Sequence, residues 1–331
     1  MFELSEFQEY VKENLVSFLP EENKNVHIQI NDVRKNNGTV LHGIVVKPEG
    51  SNIAPNVYLD GYYHDYQNGR DLEEILKEIS EMTISNLRAP EYFNSITDDF
   101  HNFEFIKGHL IMVAVNTAKN QQMLLEVPHQ EMEDLSIIYK VMLDITNEGM
   151  ASITIRNEHL DFWNVKKEEL HELAFRNTRL LLPETVQSMN ELLKEMLCDD
   201  VIPGLEDIPA DQQMYVISNE KRMNGAVAML YEDVLSDLSE QIGSDLYILP
   251  SSINEVIAVS VNMGTPEFLS EMVREVNGTE VMAEEILSDH VYLYNAETKK
   301  ISLADTTLEE IRQKEMDAGC QSNMHRTGMH R

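Results

Sequence analysis

Apolar side chains recur along the chain with two spacings, one typical of amphipathic helices and one typical of half-buried strands. A helical spacing runs through Leu4–Phe18 and stops before Pro20. Ser5 and Gln8 have the spacing of a capping box at its start. Alternating apolar residues over 26–30 and 40–46 then predict two strands, and the turn Asn36-Asn37-Gly38 between them predicts a hairpin.

The next stretch predicts a helix followed by a set of strands. Asp71 is expected to cap a helix whose buried stripe contains Leu72, Ile75, Leu76, Ile79 and Met82. Residues 103–115 become strongly apolar and predict one strand. Residues 135–143 and 151–155 predict a hairpin around 147–149. Asn164 is expected to cap a helix that Pro183 ends, and 183–198 is expected to form another helix.

The last third of the chain has clear start and stop residues. A helix is predicted over 226–242 with Gly243 at its C-terminal end. A second helix is predicted from Thr265-Pro266 to Asn277-Gly278. Strands are predicted at 214–217, 246–249, 256–261, 291–294 and 300–303, the last two forming a hairpin.

Strands that alternate irregularly with helices predict an α+β protein, with mixed or antiparallel sheets and helices packed on them in two α/β halves. Composition suggests where the halves divide. Residues 199–211 contain Pro203, Gly204 and Pro209, so they are the expected linker between the halves 1–198 and 212–305. Residues 306–331 turn polar, and we expect them to form a disordered tail.

Of the compositional features, the excess of acidic residues says most about function. The chain has 331 residues, of which 42% are hydrophobic, so a sizeable core is expected. It carries 26 basic and 58 acidic residues, a net charge of −32, and its pI is about 4.6. This balance disfavours direct nucleic-acid binding, which requires a basic surface. Three explanations of the acidity remain: it keeps the protein soluble, it attracts a basic protein partner, or it imitates a nucleic-acid backbone.

The location of the protein follows from what the chain contains. Its two cysteines, Cys198 and Cys320, are far apart, which fits a reducing compartment without disulfides. The acidic N-terminus is unlike a signal peptide, and no apolar run approaches the roughly 20 residues that span a bilayer. We therefore expect a soluble cytoplasmic protein without membrane contact. Its oligomeric state stays open.

Several side chains are candidates for binding. Tyr62, Tyr63 and Tyr66 precede the predicted helix, and such rings form either a contact patch or part of a core with the hydroxyl groups at its rim. Trp163 is the only tryptophan and lies between a predicted strand and helix. Asn177 lies on the apolar stripe that includes Leu170, Leu173, Ala174, Leu180 and Leu181. Its amide faces a ligand or is bonded to nearby backbone, and Arg179 is the neighbouring candidate.

Templates for catalysis and metal binding match poorly. The helix with His171 and Glu172 has Phe175 where a zincin has its second histidine, so we predict neither a metal nor another cofactor. Ser251 and Ser252 lie between two strands, with Glu255 shortly after them and with His129 or His290 as candidate bases from elsewhere in the chain. They lack the G-x-S-x-G elbow, and an ordinary turn is the favoured interpretation.

Five strings together resemble the bacterial domain-of-unknown-function family 5688. In chain order they are YLDGYYHDYQNGRDLEEI, LLEVPHQEMEDLSIIYKVML, ITIRNEHLDFWNVKKEELHELAFRNT, MYVISNEKRMNGAVAMLY and SDLYILPSSINEVIAV. The C-terminal half is more weakly similar to the YtpQ-like family. The resemblance implies a soluble bacterial protein and carries over no activity, cofactor or catalytic residue.

The leading hypothesis is a non-enzymatic interaction protein that binds a basic protein partner. Its sharper form is imitation of a nucleic acid, which requires acidic residues clustered on one face at phosphate spacing. One alternative is a hydrolase that uses Ser251 and Ser252, or the region of Arg176, Asn177 and Arg179. Another is a small-molecule sensing module, which requires a buried cavity of mixed polarity.

Overall fold

The computed structural model describes residues 1–48, 56–87, 99–146, 149–196, 208–307, 310 and 313. The chain divides into two compact units, Met1–Phe100 and His101–Arg331. The predicted linker at 199–211 belongs to the second unit, and 199–207 lie outside the described residues. The predicted tail lies outside them too, apart from 306, 307, 310 and 313.

The first unit packs helices on a three-stranded antiparallel sheet of order β1-β2-β3. Its elements are α1 (Leu4–Phe18), β1 (Val26–Arg34), β2 (Val40–Pro48), β3 (Asn56–Tyr58), α2 (Asp60–Gln67) and α3 (Leu72–Leu87). The predicted hairpin is confirmed, with Asn37 and Gly38 at φ 59° and 70° in its turn. These positive φ values explain why asparagine and glycine stand there.

The stripes predicted for α1 and α3 form the core of this unit. Fully buried residues include Phe7, Val11 and Leu15 on α1, and Ile75, Leu76 and Ile79 on α3. Asp71 caps α3 as predicted, since its carboxylate accepts from the N–H of Glu73 at 2.8 Å. The predicted capping box at Ser5 is wrong. The N–H of Glu3 instead donates to the Glu6 carboxylate at 2.9 Å, so the box lies two residues earlier.

The second unit begins with a four-stranded antiparallel sheet in which the long β6 pairs with β4, β5 and β7. Its strands are β4 (Leu110–Asn116), β5 (His129–Met132), β6 (Leu135–Thr146) and β7 (Gly149–Thr154). Its helices are α4 (Phe103–Ile106), α5 (Gln121–Leu124), α6 (Asn157–Trp163) and α7 (Lys167–Leu181). Every residue of β4 is buried, and the hydroxyl of Thr178 on α7 accepts from the N–H of Met112 at 2.9 Å. Helix α7 thereby supplies a hydrogen-bond partner that an edge strand otherwise lacks.

A six-stranded antiparallel sheet completes this unit, in the order β13-β12-β10-β11-β9-β8. The strands are β8 (Glu184–Ser188), β9 (Tyr215–Asn219), β10 (Leu246–Leu249), β11 (Val256–Ser260), β12 (Tyr292–Asn295) and β13 (Lys300–Leu303). The helices are α8 (Met189–Met196), α9 (Glu232–Ile242) and α10 (Pro266–Thr279), with a 3-10 helix at Gly225–Leu230. Strands β8 and β9 pair from opposite sides of the predicted linker, so one sheet contains both sides.

The predicted α+β class is confirmed, and all strand pairs in the described residues are antiparallel. Three predicted boundaries are wrong. Strand β4 starts only at Leu110, because Asn102 caps the short α4 by accepting from the Glu104 N–H at 3.1 Å. The segment 183–198 starts as β8, because its backbone pairs with β9. The helix predicted over 226–242 is interrupted at Tyr231, whose ψ of 110° is extended.

Two smaller predictions about α7 also differ from the structure. Asn164 is the C-cap of α6 with φ 54°, and Lys166 is the N-cap of α7. Leu180 was predicted on the buried stripe but is exposed. No helix within the described residues is both long and apolar enough to cross a membrane.

Candidate functional site

The three candidate tyrosines lie on α2 and are partly buried against the core of the first unit. The hydroxyl of Tyr66 accepts from the N–H of Phe2 at 2.8 Å, and the hydroxyl of Tyr63 donates to the Phe2 carbonyl at 3.3 Å. Their rings lie 5.6 and 5.4 Å from that of Phe7. Burial, followed by the charge of Glu78, raises the pKa of Tyr62. These contacts hold the start of the chain on the core.

Trp163 ends α6 and is only 9% exposed. Its ring packs between those of Phe103 and His159, with centroid distances of 5.6 and 5.4 Å. The neighbouring Phe162 is 63% exposed and has the ring of His101 5.2 Å away. The exposed aromatic surface at α6 is therefore Phe162, while Trp163 anchors the helix.

Asn177 of α7 bonds to backbone. Its side-chain amide donates to the carbonyl of Lys107 at 2.6 Å and so joins the helix to the turn before β4. This contact matches the structural alternative for Asn177.

We expect Asn177→Leu to destabilise the protein by about 1–3 kcal/mol, because the partly buried Lys107 carbonyl would lose its donor. Urea denaturation of the purified chain measures this change. The neighbouring Arg176 is exposed, so Arg176→Leu is the matched control and should change stability by less than about 0.5 kcal/mol. Equal stabilities of the two variants would contradict a structural role for the amide.

Arg179 connects α7 with β8 and α9. Its guanidinium donates to both carboxylate oxygens of Asp233 at 3.1 and 2.8 Å, and also to the Glu184 carboxylate. Its carbon centre lies 4.7 Å above the ring of Tyr231. The hydrogen bond from Arg179 lowers the pKa of Asp233. This bidentate geometry commits the arginine to holding three elements together.

Ser251 and Ser252 lie in a turn that is paired with the segment 285–288. Ser252 is 5% exposed, and its hydroxyl accepts from the N–H of Asn254 at 3.0 Å. The carbonyl of Ser251 accepts from the N–H of Leu287 at 2.9 Å. The two histidines considered as bases bind elsewhere, His129 to the Val127 carbonyl and His290 to Asp305. The turn is thus held by hydrogen bonds of its own.

Asn254, which the sequence analysis did not select, is the centre of this loop region. Its carbonyl accepts from the hydroxyl of Ser218 at 2.7 Å and from the N–H of Gly225 at 3.1 Å. Its side-chain oxygen accepts from the N–H of Asn224 at 3.1 Å, and its amide donates to Glu285 at 2.9 Å. Asn254 therefore joins three loops. The turn-forming Asn and Gly of MNGA and the Ser and Asn of SSINE are the only sequence signal of these loops, and they do not show that the loops meet.

Glu255 follows Asn254, and its pKa is raised above the ordinary value of a glutamate. Burial raises its pKa, the charge of Glu285 adds to the effect, and Arg222 opposes it. Both Arg222 and Asn224 have φ 52°, so the loop beside Glu255 contains two non-glycine residues in the left-handed region. Such a conformation persists only where surrounding hydrogen bonds impose it, and Asn219 supplies them to Lys221 and Met223.

The part of the chain that the structure describes contains no cluster of side chains suited to hold a metal ion. No group of three or more His, Cys, Asp or Glu side chains is placed there to hold an ion.

Helix α10 presents an acidic row to solvent. The hydroxyl of Thr265 accepts from the N–H of Phe268 at 3.3 Å and caps the helix as predicted. Leu269 and Val273 are buried on its inner face. The outer face exposes Glu267, Glu271 and Glu275.

These three carboxylates are four residues apart, which places them in one row along the helix. Within the described ranges none of the three forms an ion pair. The only basic residue of α10, Arg274, bonds to Asp305 at 3.3 Å. The acidic row is therefore not neutralised by its own helix.

An apolar row runs beside the acidic one. Phe268 and Val276 are 56% and 40% exposed, and the partly buried Met272 lies between them. We call these six residues of the two rows the α10 face. Each glutamate directly precedes an apolar residue, in the pairs Glu267-Phe268, Glu271-Met272 and Glu275-Val276. This repeat is the sequence pattern that could have identified the face.

Comparison with known proteins gives a family without an assigned activity. A family model described as "Family of unknown function (DUF5688)" matches residues 4–296. No curated protein matches the chain, and no solved structure matches it.

Proposed function

The chain belongs to DUF5688, a family of unknown function, and from this premise we propose that it is a non-enzymatic protein that binds a basic protein partner. The observation that carries the proposal is the acidic row of α10, formed by Glu267, Glu271 and Glu275, which has no ion pair among the residues that the structure describes. The net charge of −32 extends this attraction over the whole molecule. Complementary charge speeds encounter and selects against acidic partners.

Repulsion within the acidic row destabilises helix α10. Like charges four residues apart destabilise a helix by about 0.2–0.5 kcal/mol per pair, and this row contains two such pairs. A basic partner would remove that repulsion by placing Lys or Arg side chains beside the carboxylates. Repulsion among the carboxylates in the free protein would thus be replaced by attraction in the complex, and this free-energy difference favours binding.

The spacing of the row favours an ordinary basic protein over a protein that otherwise binds nucleic acid. With a rise of 1.5 Å per residue, successive carboxylates are about 6 Å apart along the helix axis. The three carboxylates span about 12 Å of helix axis, and the same length of duplex DNA carries about seven negative charges, at one per 1.7 Å. The α10 row by itself therefore has less than half the charge density of a nucleic-acid duplex.

The residues considered for a hydrolase are held by contacts within the protein, which favours a non-enzymatic role. Ser252 and Asn177 are each held by a hydrogen bond within the protein. Arg179 is bound to two carboxylates. A nucleophile needs a base beside it and an accessible hydroxyl, and Ser252 is buried.

We expect the variant Glu267→Gln, Glu271→Gln, Glu275→Gln to lose its partner. The tagged full chain would be expressed in a bacterial host, and co-purifying protein would be quantified over a salt series. Wild-type protein should retain a stoichiometric partner at low salt and release it as salt rises, because surface attraction is screened within about 10 Å at 0.1 M. The variant should retain about tenfold less partner, since three exposed pairs at about 0.2–1 kcal/mol each together contribute about 0.6–3 kcal/mol.

The matched control removes three exposed carboxylates from another helix of the same unit. Glu168→Gln, Glu169→Gln, Glu172→Gln on α7 causes the same change of net charge. This control should retain the partner almost as well as wild type. Equal losses from the two triple variants would show that net charge alone attracts the partner, and a protein with no partner at any salt concentration would refute the proposed function.

A further inference from the structure

We infer that the α10 face is the docking site for a basic amphipathic α-helix of the partner, with the apolar row of Phe268, Met272 and Val276 as its central contact. This inference rests on the proposed function and names the kind of partner segment that the site accepts. The acidic row accounts for attraction at a distance, and the apolar row beside it accounts for a specific fit.

The apolar row has the geometry of a helix-pairing surface. Its three residues recur every four positions and so lie along one ridge of α10. From first to last they span about 12 Å along the axis, which is about two helical turns. A partner helix with apolar residues at positions i, i+3 or i+4, and i+7 would contact the whole ridge.

Two side chains of this row, Phe268 and Val276, are exposed, and Met272 is partly buried between them. Phe268 is 56% exposed although Leu269, its neighbour in the chain, is buried in the core. Large apolar side chains on one contiguous, polar-rimmed patch mark interaction sites more often than single exposed ones do. An aromatic ring at the end of such a row is a typical anchor, because it loses much apolar surface and little conformational freedom on binding.

Charge decides which occupant fits the ridge. The acidic row runs parallel to the apolar row, one position earlier at each step, so a docked helix would place one flank against three carboxylates. Lys and Arg on that flank would pair with them. A second copy of this chain would bring the same acidic row and a further charge of −32, and anionic lipid would also be repelled. A basic amphipathic helix satisfies both rows.

The test uses two synthetic peptides with the full chain. The first has Leu every three to four residues and Lys along one flank, and the second has the same composition in scrambled order. Affinity would be measured by fluorescence anisotropy at low salt. We expect the amphipathic peptide to bind at least about tenfold more tightly, because only it forms a continuous apolar face. Phe268→Ala should reduce that affinity about tenfold and leave binding of the scrambled peptide unchanged.

Controls separate docking from folding and from charge. Phe162→Ala removes a similarly exposed ring from α6 and should leave both affinities unchanged. Val276→Ser tests the other end of the row, and circular dichroism would check that each variant is folded. Equal binding of the two peptides, or unchanged affinity in Phe268→Ala and Val276→Ser, would overturn the docking inference. If both peptides bind equally and the α10 triple glutamine variant weakens both, the proposed function survives without the docking inference. If neither peptide binds, the docking inference fails, and the co-purification experiment decides the proposed function separately.

Discussion

Gly225→Ala is expected to destabilise the protein by about 3 kcal/mol, the upper end of what overpacking typically costs and a large part of the roughly 5–15 kcal/mol by which proteins are stable. An alanine Cβ would lie 2.3 Å from the hydroxyl of Ser218, 2.5 Å from the carbonyl oxygen of Asn254 and 2.9 Å from the nitrogen of Asn219. Two of these atoms belong to the backbone, so a side-chain rotation cannot relieve the clash. The N–H of Gly225 also donates to that Asn254 carbonyl at 3.1 Å, and a shift of the loop would break this bond.

Urea denaturation followed by circular dichroism measures the effect. Gly278→Ala is the matched control, because it lies in α10 and an added Cβ would meet no atom within 4 Å. It should leave stability unchanged or raise it by up to about 1 kcal/mol, since alanine favours a helix over glycine. The double variant Ser218→Ala, Gly225→Ala should recover only part of the loss, because the two backbone contacts remain. A stability of Gly225→Ala equal to that of the control would contradict the close packing of these loops.

Asp134→Ala is expected to lower the free energy of unfolding by about 2–6 kcal/mol. The carboxylate of Asp134 is 7% exposed and accepts from the hydroxyl of Ser288 at 2.7 Å and from that of Tyr292. Both hydroxyl groups are fully buried. Burial first, and then the charge of Asp134, raises the pKa of Tyr292 well above its ordinary value, so Tyr292 stays protonated and donates. Without the carboxylate, two buried donors lose their acceptor, at about 1–3 kcal/mol each.

A rescue experiment distinguishes this explanation from simple loss of packing. The triple variant Asp134→Ala, Ser288→Ala, Tyr292→Phe removes the donors together with the acceptor. It should be more stable than Asp134→Ala alone by at least about 1 kcal/mol, because no donor is left unsatisfied. Glu131→Ala, at an exposed position of β5, is the control and should be nearly neutral. A triple variant less stable than Asp134→Ala would show that the lost contacts matter more than the unsatisfied hydroxyl groups.

The α10 face connects these stability arguments with function. Its inner side is fixed by Leu269 and Val273, and Met272 packs partly buried against the same core. Variants at the exposed Phe268, at Val276 and at the three glutamates should therefore change binding with little effect on stability. Variants at Gly225 or Asp134 should do the reverse, and this contrast is itself a check on the proposed function.

The sequence by itself determined the elements whose information is local. The stripes of α1 and α3, the turn at Asn37-Gly38 and the cap of α10 at Thr265 each depend on residues within one or two turns of each other. Periodicity, caps and turn residues act over that range, so they could be recognised without a structure. The acid–apolar repeat of α10 was equally visible, but its outward orientation was not.

Only the tertiary structure decided the features that join distant parts of the chain. Strand β8 replaces the first part of a predicted helix because β9, beyond the linker, pairs with it. Asn254 bonds to Glu285, 31 residues away, and Tyr292 bonds to Asp134, 158 residues away. Such pairs have no characteristic spacing, because folding alone brings their loops and strands together. The same reason explains why Asn254 and the α10 face were missed: a sequence shows which residues are polar, and packing decides which of them face solvent.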